Sequence, residues 1–190
     1  MRVYDFDNTI YDGESTIDFF LFYLKKNISC IKFVWPVIKT LFEYKLCKIT
    51  AQELERRGEK YMGEFMKMIK DPHKEICEFW DKNQHKIKSF YKNQQCLDDL
   101  IISASCEDFL KEICNRLNIK NLIASKLDFK NGKVEYMCYG EKKAELFKKF
   151  FPDTEIDEFY TDSKNDLPMI KISKKAFLVK GNKIKKWEEK

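Results

Sequence analysis

Three features of the sequence predict an α/β fold with a mainly parallel sheet. Short apolar runs of strand length recur through the second half of the chain, each followed by a stretch with helical spacing. Another such run, Val3-Tyr4, stands almost at the N-terminus. Between it and the next strand lies a long stretch carrying helix signals alone, and a crossover of that length reads as an inserted helical domain. The expected division is a core of residues 1–13 and 90–190 with a helical cap at 14–89, including the helix that leads back to the core.

Taken in order, residues 2–7 read as a short buried strand. Asp18 to Leu24 carries an apolar face too broad for a solvated helix. Ile31 to Tyr44 continues it with Phe33, Val34, Trp35, Val37, Ile38, Leu41 and Phe42. Thr50-Ala51-Gln52-Glu53 is a capping-box signature for a helix running towards Ile69. Asp71-Pro72 pairs a cap residue with a proline at the first helical position and predicts a helix over 73–90. Leu100-Ile101-Ile102 is a strand ending at Ser103. Glu107 to Leu117 is a helix with Phe109, Leu110, Ile113 and Leu117 in register. Leu122-Ile123-Ala124 is the next strand, and Leu127 to Tyr139 predicts a hairpin around Asn131-Gly132, a two-residue turn signal. Glu141 to Phe150 is a helix, Ile156 to Tyr160 a strand ending in Thr161-Asp162, Asp166 to Lys171 a short helix, and Ala176 to Val179 a last strand.

Composition narrows the class. An apolar fraction of 44% with 16 Phe argues against disorder. The net charge of +5 is scattered along the chain, so it does not mark a nucleic-acid binder, though it favours anionic substrates or surfaces. Seven cysteines (Cys30, Cys47, Cys77, Cys96, Cys106, Cys114, Cys138) form no zinc spacing. Without a secretory signal they are expected to be reduced thiols in a cytoplasmic protein, most of them in the core. His73 and His85 stand alone in charged helical sequence and read as surface residues. Lys32, Pro36 and Lys39 break the most apolar stretch, Ile28 to Phe42, well short of a membrane span.

The chemistry gathers at strand ends. Asp5 and Asp7 stand one residue apart where the first strand stops, so their carboxylates can converge. Such a pair suggests a metal site, an acid/base site or both; a solvated turn is the plain alternative. The second strand ends in Ser103, and the last but one in Asp162. In open α/β sheets ligands bind beyond the carboxyl ends of the strands, which is where these residues would meet.

With these residues in place, the sequence resembles the haloacid dehalogenase-like superfamily of phosphohydrolases, whose four motifs appear in order over nearly the whole chain. Asp5, Asp7 and Thr9 match the first motif, Asp-x-Asp-x-Thr. Ser103 matches the second, and Lys143, with Lys142 as alternate, the third. Asp162 and Asp166 match the fourth. The resemblance implies a Rossmann-like three-layer core with a helical cap after the first strand. It also implies that Asp5 is the nucleophile and Asp7 the general acid and base. Mg²⁺ would be held by the Asp5 carboxylate, the Asp7 carbonyl and Asp162, with Asp166 binding metal waters or orienting Lys143. Ser103 and Lys143 would hold phosphoryl oxygens. Thr9, Ser105 and Asn165, inside the motifs, join the substrate contacts.

The inserted helices resemble the caps of phosphoserine-phosphatase-like members. Glu14 would meet a substrate amine, and Arg56 or Arg57 a substrate carboxyl. Ser103-Ala104-Ser105 and Thr161-Asp162-Ser163 depart from the phosphoserine pattern and look more like phosphatidylglycerophosphate phosphatases. The expected activity is Mg²⁺-dependent hydrolysis of a small phosphomonoester through an aspartyl-phosphate. A lipid-phosphate phosphatase, a phosphotransferase or mutase, and a degenerate phosphate-binding module are the alternatives; dehalogenation would leave Asp7 and Asp162 without a role. The apolar residues of 33–42, edged by Lys32, Lys39 and Lys45, are read as packing inside the cap in preference to lying on a membrane surface.

Overall fold

The computed structural model describes residues 1–46, 48–129 and 131–188; Cys47 and the side chains of Leu41 and Lys45 lie outside what is described. Seven strands form one sheet: β1 (Arg2–Tyr4), β2 (Leu100–Cys106), β3 (Asn121–Asp128), β4 (Lys133–Tyr136), β5 (Ile156–Thr161), β6 (Ser173–Lys180) and β7 (Lys183–Lys186). Their order is β4-β3-β2-β1-β5-β6-β7. The five from β3 to β6 are parallel, and an antiparallel hairpin strand closes each edge. Continuous apolar runs at the centre follow from burial on both faces. Tyr4, Ile101 and Tyr160 point to one side, Val3, Leu100, Ile102 and Phe159 to the other.

Helices cover both faces, giving three layers. α6 (Glu107–Arg116) supplies Phe109, Leu110 and Ile113 to the first face. Helix α7 (Glu141–Phe150) brings Leu146 and Phe147, and α8 (Leu167–Lys171) Met169 and Ile170, to the second. Between β1 and β2 every named element is helical: α1 (Ser15–Lys26), α2 (Val34–Lys45), α3 (Ala51–Met66), α4 (Pro72–Asn83) and α5 (Ser89–Gln94), with 3₁₀ turns at Ile28–Phe33 and Gln84–Lys86. Thr50 Oγ1 accepts the Glu53 N–H (3.2 Å) and Asp71 Oδ1 the Lys74 N–H (3.1 Å), so both expected caps form.

Among the contacts that tie this insertion to the core, two differ sharply in kind. At one end Phe19 of α1 and Phe79 and Trp80 of α4 meet Phe109 of α6 at ring distances of 5.1, 5.2 and 4.9 Å. The Trp80 Nε1–H also donates to the Phe109 carbonyl (2.9 Å). At the other end Gly63 of α3 lies backbone to backbone on Gly132, and a Cβ on either would overlap the other's carbonyl.

Several expectations need correction. The helix predicted over 73–90 breaks after Asn83. Ile87 pairs with Tyr11 and the Lys88 N–H donates to the Ile10 carbonyl (2.8 Å), so tertiary pairing holds these residues extended. The hairpin loop is longer than two residues: Asp128 pairs with Lys133, and its carboxylate accepts the Asn131 N–H (3.0 Å). Strand β2 runs on to Cys106 through an irregularity after Ser103. β7 has no apolar run to announce it; it is an exposed lysine-rich edge.

The apolar residues of α2 do not pack inside the insertion as expected. Phe33 is buried, but Trp35 is 71%, Ile38 51% and Phe42 61% exposed. Helix α2 rests on α3 and the preceding 3₁₀ turn alone among its major neighbours, so one stripe is covered and the rest faces out. Among the described residues no helix is long and apolar enough to cross a membrane. None of the described cysteines forms a disulfide; Cys30, Cys114 and Cys138 are buried. His73 and His85 are exposed.

Candidate active site

The adjacent order β2-β1-β5 brings Ser103, Asp5 and Asp162 to one edge of the sheet. Asp5 is the first residue beyond β1, and its N–H still bonds the Tyr160 carbonyl of β5 (2.9 Å). The chain then turns sharply: the Phe6 carbonyl takes the N–H groups of Thr9, Ile10 and Tyr11, and Asn8 adopts a left-handed φ of 55°. Asparagine tolerates that conformation better than most residues. With Phe6 fully buried beneath the turn, Asp5 and Asp7 are held above the strand ends.

Lys143, in the first turn of α7, is 3% exposed and reaches across the sheet edge. Its ammonium donates to Asp5 Oδ1 (2.7 Å) and to Asp166 Oδ2 (3.0 Å). The Thr161 hydroxyl donates to the same Asp166 carboxylate (2.7 Å), and the Thr9 hydroxyl lies 3.4 Å from Asp5 Oδ2. Of the two candidate lysines, Lys142 instead pairs with Glu145 on the surface.

Asp7 is held differently. Its Oδ1 accepts the Ser15 N–H and its Oδ2 the Ser105 hydroxyl, both at 2.6 Å. Thr16 Oγ1 lies 3.0 Å from Ser105 Oγ. Ser103 is buried, and its Oγ accepts the Ser105 N–H (3.1 Å). The Ser-Ala-Ser departure noted in the sequence thus has a consequence: the second serine fixes Asp7.

Electrostatics set this site apart. Burial, helped by Asp166 and Asp7, pushes the Asp5 carboxyl up to about 7 against the pull of Lys143. Burial works against the Lys143 ammonium as well, but Asp5 and Asp166 outweigh it and hold its pKa above the ordinary lysine value. Burial and Asp166 also raise Asp162. Asp5 and Asp166 thus bond the buried Lys143 ammonium, and Asp7 and Asp162 add two further carboxylates coupled to that pair. Such an excess of hard oxygen donors fits a divalent cation with oxygen ligands, Mg²⁺ foremost.

The remaining predicted residues are placed as follows. The Glu14 carboxylate accepts from Asn8 Nδ2 (2.6 Å), and burial, Asp7 and Asp162 raise its pKa. Asn165 is exposed on the 3₁₀ turn before α8. Arg56 is exposed and forked onto Glu53 (2.8 Å), and Arg57 binds Glu53 and Glu43 (2.7 and 2.8 Å); neither has a contact with the acid cluster.

Sequence reasoning missed two residues. Lys88 is buried, its ammonium donates to the Asn8 carbonyl, and burial lowers its pKa while Asp12 and Asp162 oppose that. Nothing in Lys86-Ile87-Lys88 announces this, because the extended break that aims Lys88 is tertiary. Thr161 positions Asp166, and its only signal was its place at the end of a strand.

A family model described as haloacid dehalogenase-like hydrolase matches residues 3–171. No curated protein matches the sequence. A solved protein of unknown function from Bordetella pertussis Tohama I superposes with a TM-score of 0.67 at 15% identity, covering 90% of this chain and 85% of its own. A phosphoserine phosphohydrolase-like protein from Francisella tularensis gives 0.55 at 16%, covering 93% and 86%. A substrate-bound phosphoserine phosphatase gives 0.52 at 17%, covering 92% and 82%. At these identities the likeness is one of fold.

Proposed function

Because this chain belongs to the haloacid dehalogenase-like hydrolases, we propose that it is a Mg²⁺-dependent phosphomonoester phosphatase working through an aspartyl-phosphate on Asp5. The observation that carries the proposal is the buried Lys143 ammonium bonded to both Asp5 and Asp166, beneath a second carboxylate, Asp7, held by separate donors.

The Asp5 carboxylate attacks phosphorus while the bond to the leaving alcohol breaks. Asp7 gives that alcohol its proton, then takes one from the water that attacks the aspartyl-phosphate and frees Asp5. Ser15 and Ser105 hold Asp7 in reach of both oxygens. The Lys143 ammonium and the Ser103 hydroxyl stabilise charge on the phosphoryl oxygens. The Asp5 carboxylate, the Asp7 carbonyl and Asp162 would hold Mg²⁺, which would offset the repulsion between carboxylate and phosphate. Asp166, already bonded to Lys143 and Thr161, orients the lysine. The intervening helices act as the cap. With Arg56 and Arg57 committed to glutamates within it, the phosphoserine carboxyl lacks its expected partner.

Phosphate release from p-nitrophenyl phosphate tests the proposal. Turnover should require Mg²⁺ and vanish in Asp5→Asn; a variant retaining wild-type turnover overturns the mechanism.

A further inference from the structure

An apolar cavity of about 630 Å³ lies between the inserted helices and the core, and one end of it reaches Ser105, next to the catalytic residues. Thr16 and Ser105 line that end, and Ser105 is the residue whose hydroxyl donates to Asp7 at 2.6 Å. Phe19, Phe20, Met62, Phe65 and Phe129 are among its walls. Ile17, Leu21 and Ile38 line it too and are 56%, 47% and 51% exposed, so it opens to solvent along that side. None of its described lining residues carries a charge. The volume suits an organic ligand. A second cavity, of about 600 Å³ beside Lys111 and Asn115, includes neither Ser105 nor any other residue bonded to Asp7.

We infer that this cavity receives the leaving group, and that the substrate is an amphiphilic phosphomonoester with a hydrocarbon tail. The inference rests on the phosphatase proposal above. The acid that protonates the leaving oxygen must sit beside it, so the alcohol leaves past Asp7. Ser105, bonded to Asp7, forms the wall the alcohol meets next. Beyond it the walls are aromatic and aliphatic, and none of the described lining residues brings a charge to pair with the amine and carboxylate of a small polar substrate. Burying polar groups there without partners would cost binding, whereas each methylene gains from leaving water.

A series of n-alkyl phosphates from ethyl to octyl, below micelle-forming concentration and with Mg²⁺, tests this. The expected kcat/KM rises about fourfold per methylene, on the order of 250-fold from butyl to octyl. Gly58 of α3 lines the cavity, and a Cβ there meets nothing within 4 Å. Gly58→Leu fills the space while improving helix propensity, and should flatten the slope to below about twofold per methylene. A flat wild-type series, or an undiminished slope in Gly58→Leu, overturns the inference while leaving the phosphatase intact. Absence of phosphate release from every member and from p-nitrophenyl phosphate overturns both. Lysophosphatidate in phosphatidylcholine vesicles, compared with dispersed octyl phosphate, tells a membrane lipid from a free amphiphile.

Discussion

Replacing Lys143 by Met keeps the length and helix propensity of the side chain and removes its charge. The ammonium is 3% exposed, and its partners Asp166 and Asp5 are 2% and 7% exposed, so water cannot take its place. Removing one member of a buried ion cluster costs about 3–5 kcal/mol, because the partners are left uncompensated. Here Thr161 still donates to Asp166 and Thr9 stays near Asp5, which argues for the lower part of that range, about 3–4 kcal/mol. With a urea slope near 2 kcal/mol/M, the midpoint should fall by roughly 1.5–2 M. The assay is urea unfolding followed by circular dichroism in chelator, so that no cation substitutes for the ammonium. Adding Asp166→Asn to Lys143→Met should restore about 1 kcal/mol or more, since it removes one of the stranded charges. A Lys143→Met cost below about 1 kcal/mol, the worth of a surface pair, would refute the picture of a desolvated cluster.

Further outcomes follow from the same geometry. Ser105→Ala removes the hydroxyl that holds Asp7 in place and should lower kcat roughly 10- to 100-fold with KM for a short phosphate little changed, as read in steady-state kinetics. Gly63→Ala sets a Cβ against the Gly132 carbonyl and should destabilise by about 1–3 kcal/mol in urea unfolding; an unchanged midpoint would mean that the two backbones do not meet. Mg²⁺ should stabilise the fold by about 2.7 kcal/mol at a hundred times its Kd as it fills the acid cluster, read as a rise in melting temperature that Asp162→Asn should mostly abolish.

The core was legible because its signals are local. Apolar runs such as Leu100-Ile101-Ile102 specify buried strands by themselves, and each ends in the residue it delivers. Asp5, Ser103 and Asp162 could be grouped before any strand order was known, since parallel strands leave their carboxyl ends on one edge. What escaped depends on partners far along the chain. Lys88 looks like any surface lysine until residues 87–88 pair with the loop after β1. The exposure of Trp35, Ile38 and Phe42 was hidden because an apolar helix stripe reads the same whether a neighbour covers it or not; only the single bed of α3 beneath α2 decides. Ser105 carried no signal for Asp7, since its bond spans 98 residues of sequence.

The two attachments of the helical insertion are unequal in kind. Rings and an indole hydrogen bond anchor α1 and α4 to α6, whereas α3 meets the hairpin at a close glycine backbone contact flanked by the Lys67 side chain. Among the described residues the glycine contact carries no ring pair and no side-chain hydrogen bond, so this edge should open more readily than the aromatic edge, which would serve as the pivot. The insertion would then breathe like a book on its spine, widening the gap above Ser105 without unfolding. Hydrogen exchange should register it as faster exchange across the second half of α3 than across α4, and equal protection of the two would refute it.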